Sequence, residues 1–124
     1  MPYMHIKFKY RKNSRTETDC YNLCMMIAKD RGIILPDINT QKYHLAQAHF
    51  IMTREEAKPI WKKVKPKTDT IVAFKINEQI RHVGYMISEK QFIHIQAGTN
   101  VQVNSIEDPE WQFSFAGCYE YIGT

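Results

Sequence analysis

The sequence DCYNLCMMIAKDRG, which runs from Asp19 to Gly32, carries the clearest helical pattern in the chain. Leu23, Met26 and Ile27 recur at helical spacing, and the final glycine is a natural helix stop. The pattern predicts a helix over residues 20–31. Cys20 then lies in the first helical turn.

A cysteine at the start of a helix can act as a nucleophile. Free backbone N–H groups and the positive end of the helix favour a thiolate at Cys20, and the same N–H groups can stabilise an oxyanion. The alternative is a buried structural cysteine. Cys24 fits that alternative, because it lies four residues further on the same helical face. The helical pattern alone leaves both roles open for Cys20.

The second half of the chain is rich in strand patterns with short connections. The predicted strands cover residues 70–76, 82–88, 91–97, 101–104, 111–116 and 118–122. Helical patterns precede them, at residues 41–52 and in a further helix capped by Thr53. Helices followed by strands predict an α+β fold with an antiparallel sheet.

Two other segments allow simple interpretations. Residues 4–10 alternate between apolar and polar side chains, which predicts a short strand or an extended arm. The basic residues between Lys62 and Lys67 follow Trp61, a combination seen in nucleic-acid sites. We interpret them instead as a solvated loop that leads into a strand, and we expect no nucleic-acid partner.

Composition limits the class of protein. With 124 residues and 44% apolar content, the chain is expected to form one domain over residues 1–124. It has no run of about 18 apolar residues that would span a membrane, and its N-terminus lacks the apolar core of a signal peptide. Three cysteines do not indicate a disulfide scaffold, and their spacing predicts no zinc site. The net charge of +4 is explained by a solvated basic surface.

Four stretches, in this order, resemble the NlpC/P60 family of papain-like cysteine peptidases. They are Asp19-Cys20, Thr68–Phe74, His82–Ile87 and Phe92–His94. The resemblance covers roughly residues 10 to 97. It implies a papain-like fold in which N-terminal helices pack on an antiparallel sheet. It also implies a catalytic set with Cys20 as nucleophile, His82 as base and His94 as the residue that orients His82.

The resemblance extends to substrate contacts. In the family, the residue that matches Asp19 contacts the free amine of a short peptide, and an N-cap is its simpler role. Tyr10 falls close to the position of a substrate-contacting tyrosine, with a packed aromatic ring as the alternative. The Gly-Gly pair that usually follows that tyrosine is absent here, and Asn22 stands where the family usually has glycine.

Strand geometry tests whether His94 can reach His82. A two-residue turn at Glu89-Lys90 would place His94 opposite Tyr85, on the wrong face of the sheet. A three-residue turn from Ser88 to Lys90 places His94 opposite Gly84. His82 and His94 then become diagonal neighbours, roughly 7–8 Å apart at the backbone. We expect the three-residue turn. Gln96, which would lie beside His82, is the reserve orienting residue.

The first functional hypothesis is a cysteine peptidase that hydrolyses peptidoglycan stem peptides beside D-Glu, without a metal or cofactor. The stretches 31–37 and 61–64 most resemble the phage-tail branch of the family, which implies other tail proteins as partners. We expect synthesis in the cytoplasm, with the virion tail or the cell wall as the destination. Two alternatives stay open: a structural tail or interaction protein with little activity, and a thiol-dependent acyltransferase.

Overall fold

The computed structural model describes residues 3–9, 12, 14–36 and 60–123. Several predictions therefore lie outside the described residues. These are the helix at 41–52, the helix capped by Thr53, and the substrate contact of Tyr10.

Two helices and eight strands are described. In chain order they are β1 (Lys7–Phe8), β2 (Glu17–Thr18), α1 (Cys20–Asp30), β3 (Trp61–Val64), β4 (Ile71–Ile76), β5 (Gln79–Met86), β6 (Gln91–His94), β7 (Gln102–Ser105), α2 (Pro109–Gln112) and β8 (Phe115–Tyr121).

Helix α1 confirms the helix predicted for residues 20–31. Asp19 caps its start, because the carboxylate accepts a hydrogen bond from the backbone N–H of Asn22 at 3.0 Å. The helix ends at Asp30, and Gly32 follows with a φ of 84°, in the left-handed region where glycine is unstrained. The cap fixes the position of Cys20 as the first helical residue.

Six strands form one antiparallel sheet in the order β3-β8-β4-β5-β6-β7. β8, the last of the described strands, lies between β3 and β4, so among those strands β3 joins the sheet only through β8. β1 and β2 form a separate two-stranded parallel pair. The α+β class with an antiparallel sheet is confirmed.

The two faces of the sheet bury different sets of side chains. Alternation along β5 directs Val83 and Tyr85 to the face that packs against α1. The other face carries an aromatic cluster, which we define as Phe74, Phe92 and Trp111. His82 contacts Phe74 and Trp111 of this aromatic cluster. The histidine ring therefore projects from the face opposite to α1.

Two predictions about strands need correction. Residues 111–114 do not form a strand. Instead α2 begins at Pro109, which lacks a backbone N–H and suits the first helical turn, and β8 then starts at Phe115. The segment Trp61–Val64 is strand β3 and not a loop, because it pairs with β8. The short strand expected in the N-terminal segment forms over Lys7–Phe8 among the described residues 4–9.

Candidate active site

Cys20 lies at the start of α1 with its side chain buried, at 1% exposure. β5 pairs with β6 at two positions, Tyr85 with Ile93 and Met86 with Phe92. Val83 precedes this paired region in the chain. The backbone of Val83 instead hydrogen-bonds to the Cys20 thiol. The sulfur is therefore held against the residue that follows His82 in the chain.

The protonation of Cys20 differs from the expectation based on its place in the helix. Burial raises the pKa of the thiol to about 12. The backbone of Val83 and the helix start, at Tyr21 and Cys20 itself, act in the opposite direction and lower the pKa, whereas the Asp19 charge raises it. Desolvation outweighs the helix start, so the thiol is neutral at pH 7.

His82 and His94 form the centre of the site. The Nε2 atom of His82 lies 2.9 Å from the Nδ1 atom of His94, within hydrogen-bond distance. The β5–β6 register pairs Tyr85 with Ile93, which is the register of the predicted three-residue turn. The prediction that both histidines face the same side of adjacent strands is therefore confirmed.

Both imidazoles are held in their neutral forms. Burial, followed by the neighbouring His94, lowers the pKa of His82 to about 3. Burial also lowers the pKa of His94, although hydrogen bonding to Asn104 raises it in part. At neutral pH each ring therefore has one N–H donor and one acceptor nitrogen.

The two histidine rings contact each other directly. Among the described residues, the ring of His82 hydrogen-bonds to His94 and not to the Cys20 thiol. This hydrogen bond uses Nε2, so Nδ1 of His82 is the nitrogen that can take a proton from a nucleophile.

Two further residues contact the histidines, and the sequence analysis did not identify either of them. The Oδ1 atom of Asn104 on β7 lies 2.7 Å from Nε2 of His94. The indole of Trp111 stacks on the His82 ring, with centroids 5.5 Å apart and an interplanar angle of 28°. The register of β7 against β6, which pairs His94 with Gln102, would have pointed to Asn104. Gln96, the reserve orienting residue, is exposed, and its backbone bonds to Thr99.

Gly84 sets the spacing between β5 and β6. A Cβ atom at this position would lie 2.8 Å from the Phe92 ring and 3.2 Å from the Cβ of His94. The space is filled by side chains of β6, so the glycine lets His94 approach β5 closely.

Other kinds of site find no support in the described part of the chain. No three His, Cys, Asp or Glu side chains there cluster closely enough to hold a metal ion. Neither described helix has the length and apolar character needed to cross a membrane. All three cysteines carry free, buried thiols.

Comparison with known proteins gives three similar structures. The first is an NLP/P60-family protein from Staphylococcus aureus, described as similar to lipoprotein, with 17% identity and a TM-score of 0.67 over 98% of this chain and 38% of that one. The second is an NlpC/P60 family protein from Bacillus cereus, with 20% identity and a TM-score of 0.64 over 98% of this chain and 37% of that one. The third is the NlpC/p60 domain of the peptidoglycan hydrolase SagA, with 12% identity and a TM-score of 0.57 over 95% of this chain and 89% of the domain.

These structures share the fold, and this chain spans less than two fifths of the length of the first two. No curated protein sequence matches it. The family model for NlpC/P60, in contrast, matches residues 5–119, which is nearly the whole sequence. The chain belongs to the NlpC/P60 family.

Proposed function

We propose that this protein is a cysteine hydrolase that cleaves amide bonds in the stem peptides of peptidoglycan. The observation that carries the proposal is the hydrogen bond between His82 and His94. It holds the His82 ring by Nε2 and leaves Nδ1 for proton transfer. Family membership supports the reaction class, and the likeness to a peptidoglycan hydrolase domain supports the substrate.

The proposed reaction starts from a neutral thiol and a neutral imidazole, because the buried site disfavours both charged forms. Proton transfer requires the thiol of Cys20 to reach Nδ1 of His82 at the β5 edge beside Val83, where β5 is not yet paired with β6. The sulfur then attacks the carbonyl carbon as Nδ1 of His82 accepts the thiol proton. The backbone N–H of Cys20 helps to stabilise the oxyanion. His82 then protonates the leaving amine, and water hydrolyses the thioester with His82 again acting as base.

The finer features of the hypothesis are part of the proposal. Cleavage beside D-Glu, recognition of a free amine by Asp19, and a contact from Tyr10 are what the family resemblance implies. The phage-tail setting and tail-protein partners stay predictions of the sequence stretches 31–37 and 61–64.

The experiment is digestion of purified muropeptides, with the products identified by mass spectrometry. Cys20→Ala and His82→Ala should each abolish cleavage, and the double variant should be no worse, because the pair acts as a unit. Cys24→Ala is the matched control, because Cys24 is also a buried cysteine of α1. Cleavage that persists in Cys20→Ala would contradict the proposal.

A second candidate is a structural or interaction protein with little activity. The burial of the reactive groups favours it, because Cys20 is 1% exposed and His82 is 8% exposed. Wild-type protein that leaves a panel of muropeptides intact would support this candidate. Products joined to an added amine would instead indicate acyl transfer.

A further inference from the structure

We propose that Asn104 is a positioning residue that fixes which nitrogen of His94, and through it which nitrogen of His82, carries hydrogen. The role as it bears on catalysis rests on the proposed function. Asn104 accepts from Nε2 of His94 at 2.7 Å, and Nδ1 of His94 lies 2.9 Å from Nε2 of His82. Three side chains from β5, β6 and β7 thus form one hydrogen-bonded row.

The amide oxygen of Asn104 determines which atom donates and which accepts in each hydrogen bond of this row. A carbonyl oxygen only accepts, so Nε2 of His94 must be its N–H. The Nδ1 atom of neutral His94 is then the acceptor, and Nε2 of His82 must donate to it. Nδ1 of His82 is left with a lone pair, which is the form that a base requires.

The reversed amide would have the opposite effect. If the Asn104 amide nitrogen faced His94, it would donate to Nε2, and Nδ1 of His94 would carry the hydrogen. His82 would then accept at Nε2 and carry its own hydrogen on Nδ1. Such a ring cannot take a proton from Cys20 at that nitrogen.

The two imidazole rings are buried and Asn104 is half-buried, so solvent has limited access to the row. His94 is fully buried at 0% exposure. Trp111 meets the His94 ring edge-on at a centroid distance of 4.8 Å, and Phe92 packs against it at 4.6 Å. A buried imidazole that loses its hydrogen-bond partner is destabilised by the full desolvation penalty of an unpaired polar group.

The register of β7 shows why this amide is placed to act and provides a control. His94 pairs with Gln102, and Asn104 is two residues further on the same face of β7. Asn104 therefore approaches His94 diagonally. Gln102 has the same functional group on the same strand, and no hydrogen bond between its side chain and the His94 ring is present among the described residues.

The test is nitrogen NMR of protein labelled with 15N-histidine at pH 8, which distinguishes N–H from unprotonated ring nitrogens. In wild type, both His82 and His94 should carry hydrogen on Nε2. Asn104→Asp should keep this pattern, because a carboxylate also accepts. Asn104→Leu should lose it, and Gln102→Leu should not. Hydrogen on Nδ1 of His82 in wild type, or an unchanged pattern in Asn104→Leu, would overturn the proposal.

Turnover of muropeptides is the second readout. Asn104→Leu should lower kcat about 10- to 100-fold with little change in KM, in the range known for outer positioning residues, and Asn104→Asp should restore most of the loss. Equal kcat in Asn104→Leu and wild type would also overturn the positioning role. Wild-type protein without activity would refute the proposed function alone, because the wild-type tautomers can still be read by NMR even if Asn104→Leu does not fold.

Discussion

The Nε2 atom of His82 and the Nδ1 atom of His94 lie 2.9 Å apart, although the two residues belong to different strands. Neither ring is exposed enough for water to compete with this contact. The pair therefore behaves as one unit, whose orientation depends on the spacing and register of β5 and β6.

The first prediction concerns the role of His94. If His94 only orients His82, its ring need not ionise, and a glutamine amide can accept the same hydrogen bond. His94→Gln should keep appreciable activity, whereas His94→Leu should lose about 10- to 100-fold in kcat. Steady-state kinetics on muropeptides would decide. Equal activity in both variants and wild type would remove His94 from the site.

The second prediction concerns Gly84. A Cβ here would lie 2.8 Å from the Phe92 ring, so Gly84→Ala should force β5 and β6 apart at a cost of about 1–3 kcal/mol. Activity should fall as His94 shifts. Denaturant unfolding measures the stability change. Phe92→Leu removes the closest ring atom. The double variant Gly84→Ala/Phe92→Leu should therefore lose less free energy of unfolding than the sum of the losses in the two single variants. Simple additivity would argue against the clash.

The third prediction concerns acid stability. The pKa of His82 is about 3 in the folded protein, below its ordinary value near 6.5. The unfolded chain therefore binds a proton that the folded protein does not, so stability is full above pH 6.5 and is lost as pH falls toward 3. The slope is at most about 1.4 kcal/mol per pH unit for this group. Urea unfolding at several pH values measures it.

His82→Phe is the companion variant for acid stability, because a phenyl ring can stack on Trp111 and does not titrate. Its free energy of unfolding should depend less steeply on pH between 6.5 and 3 than that of wild type. Parallel pH dependences in the two proteins would show that His82 is not the group responsible.

The fourth prediction concerns thiol reactivity. Burial raises the pKa of Cys20 to about 12 and that of Cys118 to about 11, so little thiolate exists at pH 7. Iodoacetamide should label all three cysteines slowly in the folded protein and quickly in denaturant. Mass spectrometry of briefly labelled samples measures this. Rapid, selective labelling of Cys20 at pH 7 would show that the thiol is exposed and ionised in solution.

The fifth prediction separates two roles of Asp19. Asp19→Ala removes the cap of α1 and should cost about 1 kcal/mol. Asp19→Asn keeps a capping oxygen, so its melting temperature should change little. If the carboxylate also binds the amine of the substrate, Asp19→Asn should raise KM. An unchanged KM would leave Asp19 with the capping role alone.

Local patterns explain which features could be predicted from sequence. Helix α1 follows from the spacing of Leu23 and Ile27 and a capping Asp19, all within a few turns. The contact between His82 and His94 follows from strand parity across one short turn. Both depend on neighbours in the sequence, so they need no knowledge of the rest of the fold.

Features that depend on distant pairing could not be predicted in this way. Trp111 and Phe113 alternate with polar residues, which is the pattern typical of a strand. In the structure, Trp111 instead lies on α2 and packs against His82. Asn104 reaches His94 only because β7 pairs with β6 in one register. The effect of burial on Cys20 depends on the assembled core, which no helical pattern reveals.

The position of β8 between β3 and β4 has a consequence for biosynthesis. A ribosome releases the N-terminal residues first, and most domains begin to fold in that order. In the part of the chain that the structure describes, β3 pairs with β8, so this edge of the sheet cannot form until the segment ending at Tyr121 leaves the ribosome. The domain is therefore expected to complete its fold only after β8 has been synthesised, and stalled nascent chains that lack β8 should be sensitive to protease.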